Sequence, residues 1–483
     1  MKKILFTFAM LLTAFAITAQ VDRTHAPKSD IPKKLDIGVL IPIEMKNGMQ
    51  VYLAPVKEYP KFTITVNIEQ PDIRKDERIE EKSILDKAYM EKLSKKYANG
   101  EIDSLTRLKG AMLSASCYGG TIKGMNRDIE LLLDMYSDLL FNPVIKENYI
   151  SEKAENYRKS QEKKNNSSVF DDEKFYIEML TDSLLRGTTK KNEEKKEIIQ
   201  NFEDIGIETV EDFLHQRVVA NNAVIVIVGD FSPKACQKLM NKYFGKWQNG
   251  ASLKREREIE PSELVLERRK IFVIDKPNAV QSRIRFNWIL KDAFAFDENS
   301  VKIEVLNEIL GESQLSYLYS NLREDKGLCY SVMSSLTPDD NGGRAAIWTS
   351  VRTDQTAYAI ENIILEMLRI RNFDVSDYDL KVAKNSLIGD FTRSLSGIAP
   401  IPYMSFAMIK DTYNLPDDYL QTKVSKYHEV IRKDIREMAE KYIQPFRSII
   451  IVTGKADELR GSLEQFGEVT YIDEKGKKLK LKE

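Results

Sequence analysis

Phe62-Thr63-Ile64-Thr65-Val66-Asn67-Ile68 alternates large apolar and polar side chains. A period of two is what a strand with one buried face requires. The alternation returns at an offset of 222 as Ile284, Phe286, Trp288 and Leu290. Outward from this strand, Lys109-Gly110 precedes Met112, Ser114 and Ser116, and Lys326-Gly327 precedes Cys329, Ser331 and Met333 at an offset of 217. The helical stripe Ile129, Leu132, Leu133, Tyr136 and Leu139 is answered at an offset of 231 by Ile360, Ile363, Ile364, Met367 and Ile370. Val224-Ile225-Val226-Ile227-Val228-Gly229 reads as a buried strand ending on glycine, and Ile449-Ile450-Ile451-Val452-Thr453-Gly454 repeats it at an offset of 225.

Four landmarks in one order at nearly constant offset indicate a duplication, with the small drifts absorbed by loops. The expected fold class is α+β: two homologous mixed α/β-sheet domains, each built around one core. The polar run Asn249-Gly250-Ala251-Ser252, the charged run Lys254-Arg255-Glu256-Arg257-Glu258 and Pro261 mark a linker over 248–263. The domains then span 38–247 and 264–474. A lysine-rich tail, 475–483, is expected to fray.

The chain of 483 residues balances 73 Lys+Arg against 74 Asp+Glu, which argues against non-specific nucleic-acid or polybasic membrane binding. Three cysteines (Cys117, Cys236, Cys329) are too few for a disulfide framework. Met1-Lys2-Lys3, the apolar stretch Ile4 to Ile17 and Thr18-Ala19-Gln20 read as a signal peptide over residues 1–19. The mature protein is therefore expected to be exported, periplasmic in a Gram-negative cell and otherwise secreted. No later apolar run approaches the ~18 residues of a spanning helix.

Leu322-Arg323-Glu324-Asp325-Lys326-Gly327-Leu328-Cys329-Tyr330-Ser331-Val332 carries the most specific pattern in the chain. With Val224–Asp230, Tyr243-Phe244-Gly245-Lys246-Trp247 and Lys276-Pro277-Asn278-Ala279-Val280-Gln281-Ser282, it resembles the pitrilysin/insulinase family of zinc peptidases, the inverzincins. The resemblance runs from about Gly48 to Lys455. It implies paired domains that form half of a clamshell around a peptide. It also implies a first-domain helix bearing H-x-x-E-H, whose histidines hold zinc while the glutamate serves as general base, and a further glutamate ligand from a later helix.

The chain departs from that pattern. The helix expected after the first strand, Ser83 to Tyr97 with Ile84, Leu85, Ala88, Tyr89 and Leu93 as its core stripe, has no histidine, and H-x-x-E-H occurs nowhere. The three histidines, His25, His215 (in a helix capped by Thr209) and His428, are scattered, whereas a zinc site needs convergent ligands. No metal and no catalytic residue is therefore expected in this chain.

Arg323 and Tyr330 remain. Arg323 falls in the last turn of a helix expected over Ser313 to Glu324, Gly327 stops that helix, and Tyr330 opens the next strand. The resemblance assigns this pair to the substrate backbone, a task that suits a guanidinium fork and one directed hydroxyl. Taken without the resemblance, the pair reads as a helix-end charge and a packing ring. The matching first-half positions are Thr106 and Leu113, so the repeated fold does not require the pair.

The expected function is that of a non-catalytic subunit. It would supply substrate-binding residues and half of a peptide chamber to a zinc-bearing partner subunit, and be inactive alone. The alternative is a degenerate peptide-binding or assembly scaffold with no part in hydrolysis. A hydrolase based on Cys329 would need a base, and no histidine neighbours it in sequence.

Overall fold

Each repeated landmark falls on the same kind of element in both halves. The computed structural model describes residues 39–57, 60–70, 78–165, 177, 180–181, 184–185, 205–251, 266–340, 342–395, 401–473 and 477–479. The signal-peptide residues 1–19 and most of the expected linker, 252–263, lie outside the described residues. Gly250 and Ala251, at the linker's start, are tied to the first half by hydrogen bonds with Asn221 and Asn222.

The first half holds β1 (Ile41–Ile43), β2 (Gln50–Pro55), β3 (Lys61–Ile68), β4 (Met112–Ser116), β5 (Gly119–Met125) and β6 (Ala223–Gly229). Its helices are α1 (Ile79–Glu91), α2 (Glu101–Leu108), α3 (Ile129–Phe141), α4 (Glu147–Asn165), α5 (Ile207–Arg217) and α6 (Pro233–Phe244). The second half holds β7 (Lys270–Asp275), β8 (Gln281–Ile289), α7 (Ser300–Asn307), α8 (Tyr317–Tyr319), β9 (Cys329–Thr337) and β10 (Arg344–Arg352). Then come α9 (Thr356–Asn372), α10 (Asp377–Leu395), α11 (Ile401–Ile409), α12 (Tyr419–Glu429), α13 (Arg432–Tyr442), β11 (Ile449–Gly454), α14 (Ala456–Leu459) and β12 (Glu468–Ile472).

The fold is mixed α/β with two six-stranded mixed sheets, ordered β1-β2-β6-β3-β5-β4 and β12-β7-β11-β8-β10-β9. Five strands repeat in order and direction: β2 lies parallel to β6 as β7 does to β11, and the remaining pairs are antiparallel. The sixth strand differs. β1 precedes β2 and pairs with it antiparallel, whereas β12 comes from the C-terminal end and pairs parallel with β7. Lys477 and Leu479, expected in a frayed tail, bond back to Asp473 and Tyr471 beside β12.

Helix bounds depart from the sequence reading at three points. The helix after β3 is Ile79–Glu91 rather than Ser83 to Tyr97. Lys92 takes a left-handed conformation, φ 50°, and Ser94 then bridges to Pro143, drawing the chain off the helix axis before Leu93 can extend the stripe. Helix α5 is capped by Gly206, and Thr209 sits within its first turn, donating to the Gly206 carbonyl at 2.8 Å. The expected helix Ser313 to Glu324 starts only after Ser316, whose hydroxyl accepts from Tyr319 N, and it widens into a π-turn over Ser320–Asp325.

Val224–Val228 lacks alternation because β6 is buried on both faces. Ile225 and Ile227 join the core beneath α1, α3, α5 and α6, with Leu132, Phe213 and Phe244. Val226 and Val228, with Tyr52 and Ala54 of β2, meet Leu395, Met404, Phe406 and Leu420 from the second half. The second sheet is treated likewise. Ile449 and Ile451 of β11 pack with Ile274, Ile289 and Leu185, and Ile177, Leu180 and Leu184 lie against that cluster. Each sheet thus buries one face under helices of its own half and the other under residues of the opposite half. Fully burying one such side chain contributes roughly 1.5–3 kcal/mol. Residues 37–483 accordingly pack as one compact unit. No described helix is long and apolar enough to cross a membrane.

Candidate functional site

Arg323 lies in the π-turn, and the wider winding sets its direction. Lys326 N bonds Asn321 O, Gly327 N bonds Arg323 O and Leu328 N bonds Leu322 O, closing the turn in three steps. Gly327 has φ +61° in open space, so a side chain there would face a backbone penalty of about 1 kcal/mol without a clash. Gly311, in the π-turn Glu308–Glu312, is different. A Cβ there would come within 2.7 Å of Ser334 Oγ, on the strand that carries Tyr330.

The guanidinium carbon of Arg323 stands 5.0 Å from the ring centre of Tyr330 and 4.8 Å from that of Tyr319. Its Nη1 donates to the Tyr319 hydroxyl, and Nε is 3.5 Å from Glu324 Oε1. Tyr319 is 9% exposed and Tyr330 is 86% exposed. The structure therefore joins the two residues singled out by sequence and adds Tyr319. Its i, i+4 spacing to Arg323 was visible in the sequence, but it had meaning only if both lay on one helical face. Contact with both rings and the bond to the Tyr319 hydroxyl orient the guanidinium, which has five N–H donors in all.

Tyr330 is the second residue of β9, the edge strand of its sheet. One side of an edge strand presents backbone N–H and C=O groups to whatever extended chain arrives. The β9–β10 register shifts between Thr349 and Val351, where a bulge falls beside Tyr330 and Ser331. The corresponding first-half residues, Thr106 in α2 and Leu113 in β4, are both buried and build no such feature.

The first-half site does not fit zinc. Helix α1 contains no histidine, and Asp86 and Lys87 stand among its polar residues. Asp86 Oδ1 accepts from the Cys117 amide at 2.7 Å. Lys87 Nζ meets Glu152 Oε2 of α4 at 2.5 Å and Glu91 Oε1 at 3.7 Å. Glu91 also accepts from Tyr149 Oη at 2.5 Å and from Lys146 at 3.0 Å. The Tyr149 hydroxyl and Lys146 hold its carboxyl below the usual range, while the Glu152 carboxylate holds Lys87 above it. An ammonium thus joins α1 to the carboxylate of α4. His215 and His428 are exposed on separate helices, and His25 lies outside the described residues. No group of three or more His, Cys, Asp or Glu that could hold a metal occurs among the described residues.

The thiols do not suit nucleophilic chemistry either. Burial raises the Cys117 thiol well above its ordinary pKa and pushes Cys236 up to about 12. Cys329 is also raised by burial, against the opposing pull of Thr349 and Arg323.

Comparison with known proteins accords with this geometry. Residues 204–387 match the family described as Peptidase M16 inactive domain. The chain is 22% identical over 290 residues to the uncharacterized zinc protease YmxG of Bacillus subtilis; the match covers 58% of this chain and spans 64% of that relative. The fold is similar to a crystal structure of the M16 inactive domain from Pseudomonas fluorescens, with a TM-score of 0.68 and 17% identity over 86% of this chain and 98% of that one. It is also similar to the periplasmic protease PqqL from Escherichia coli, with a TM-score of 0.65 and 13% identity over 90% of this chain but 47% of that one. With a helix α1 free of histidine, the chain is thus similar over residues 204–387 to the M16 inactive domain and shares the fold of a solved example of it.

Proposed function

We propose that this chain is the non-catalytic subunit of an exported insulinase-like zinc peptidase, in which residues 38–247 and 264–474 form half of a peptide chamber. Arg323 and Tyr330 bind the substrate backbone, and a zinc-bearing partner subunit supplies hydrolysis. The observation that carries this reading is the Arg323 guanidinium held close to the rings of both Tyr319 and Tyr330, at the start of an edge strand. A ligand's carbonyl or carboxylate can accept from the remaining guanidinium donors while its backbone runs along β9. The reading is supported by the length of PqqL, of which a chain of this architecture covers about half, leaving room for a second such unit. It is supported further by α1, where Lys87 and Asp86 are committed to structural contacts.

The test is reconstitution. The mature chain is purified alone and with an M16 relative from the same cell that carries H-x-x-E-H, and peptide cleavage is measured. Cleavage that needs both chains supports the subunit reading. A chain that ignores every such relative, yet still binds peptides, supports the scaffold alternative.

A further inference from the structure

Helix α9 carries a carboxylate on its buried face. Glu366 is 6% exposed and precedes Met367 of the apolar stripe. At the offset of 231 that relates α3 to α9, its first-half counterpart is Met135, fully buried. The repeated fold thus accepts an apolar side chain at this place, while a buried carboxylate costs free energy unless it is paired and hydrogen-bonded. Glu366 is both. Its Oε2 lies 3.3 Å from Arg369 Nη1, and its Oε1 accepts from Asn321 Nδ2 at 2.5 Å.

Asn321 belongs to the π-turn that carries Arg323, and its carbonyl accepts from Lys326 N at 3.2 Å to help close that turn. An ionised carboxylate only accepts, so the Asn321 amide must point Nδ2 at Glu366, and Oδ1 is left buried with no partner among the described residues. Four-residue spacing sorts the segment into two sides. Tyr317 and Asn321 face α9, where the Arg369 guanidinium carbon stands 3.9 Å from the Tyr317 ring centre. The Tyr317 hydroxyl donates to Asp379 Oδ2 of α10 at 3.0 Å and pins the same side. Tyr319 and Arg323 fall on the other side and meet each other. At the offset of 217 the counterpart of Asn321 is Ser104, whose hydroxyl donates one turn back to the Gly100 carbonyl at 2.8 Å. The half that carries Arg323 and Tyr330 thus has a polar link between its turn and the neighbouring helix, and Ser104 and Met135 of the other half build none.

We infer that Glu366 is a positioning residue for the clamp of Arg323 and Tyr330: by holding Asn321 it fixes the π-turn, and with it the direction in which Arg323 leaves the turn. The inference rests on the peptide-binding reading of Arg323 and Tyr330. Glu366 acts through the backbone, since Asn321 is bonded to α9 by its side chain and to Lys326 by its carbonyl. A guanidinium that must meet a ligand with directed donors gains from a fixed origin, because a misplacement of about 1 Å can cost on the order of a hundredfold in rate.

The test uses the full chain, a fluorescent peptide and amide hydrogen exchange. Asn321→Asp sets a second carboxylate against Glu366. It should quicken exchange at the Lys326, Gly327 and Leu328 amides and weaken the peptide by about tenfold or more, the effect of one charged hydrogen bond. Adding Glu366→Gln reverses donor and acceptor across the same bond, and the double variant should regain most of the protection and the affinity. Asn321→Ala removes the bond without adding charge and serves if the first variant fails to fold. In an Arg323→Ala background neither Asn321 variant should weaken the peptide further, because both act through that guanidinium, whereas a merely structural role would give additive losses. Parental binding by both Asn321 variants, additive losses, or no rescue by Glu366→Gln overturns the positioning role while a weakened Arg323→Ala leaves the clamp standing. Parental binding by Arg323→Ala, or no peptide binding by the parental chain, overturns the clamp and the positioning role together.

Discussion

Arg323 and Tyr330, seven residues apart, meet face to edge-strand with the guanidinium carbon 5.0 Å from the ring centre. The π-turn and Gly327 bring them together: the first swings Arg323 outward, and the second reverses the chain so that β9 passes beside it. Tyr319 holds the guanidinium as well, with its ring centre 4.8 Å away and its hydroxyl accepting from Nη1.

Arg323→Ala and Tyr330→Phe in the reconstituted peptidase should lower kcat/KM by about thirtyfold to a thousandfold, the effect of losing one charged hydrogen bond in the transition state, ~2–4 kcal/mol. Thermal unfolding should change little, since a partly exposed cation–π contact contributes ~0.5–1 kcal/mol. Tyr330→Phe keeps the ring and removes the hydroxyl, so it separates donation from stacking. Parental cleavage rates in both variants would make the pair structural.

Phe406→Ala should destabilise the chain by roughly 3–5 kcal/mol. Phe406 stacks on Tyr419, with ring centres 6.0 Å apart, and helps cover Val226 and Val228 of the first sheet. Hydrogen exchange should therefore quicken in β2 and β6, although the substitution lies in α11. Unchanged protection in those strands would show that the first sheet does not depend on the second half.

Glu308 is 4% exposed, and burial raises its carboxyl pKa, with Glu312 adding to the shift and Ser386 opposing it. The folded chain then holds this proton more tightly than the unfolded one. The stability it contributes is complete below the unfolded glutamate pKa, ~4.3, and is lost as pH rises through the folded value. Glu308→Gln should thus raise denaturant stability at pH 7, with the gain vanishing toward pH 4. A loss of stability at pH 7 would indicate that the ionised carboxylate is needed.

Exhaustive chelation should leave the melting temperature of the isolated chain unchanged, and elemental analysis should find less than one zinc per chain. Lys87→Met should cost no more than ~1 kcal/mol, because the ion pairs it leaves are partly exposed. A stoichiometric zinc lost on chelation, with a fall in melting temperature, would contradict the reading of α1.

Periodicity in the chain determined which residues lie on strands and helices and which face of each is buried. Those patterns are local, set by side-chain directions every 2 or 3.6 residues. For this reason β3, β6, β8 and β11, the helical stripes of α3 and α9, and the missing histidines of α1 were legible from residues alone. The nearness of Arg323 to Tyr330 was legible because a short segment holds them both. What covers a buried face is not local information. Val226 required Met404, and Ile451 required Leu185, only because tertiary packing crossed the two halves. The same holds for the ion pair of Lys87 with Glu152 and for Trp348 opposite Arg285, since contacts between residues far apart depend on how elements dock, and helical or strand period carries no record of that.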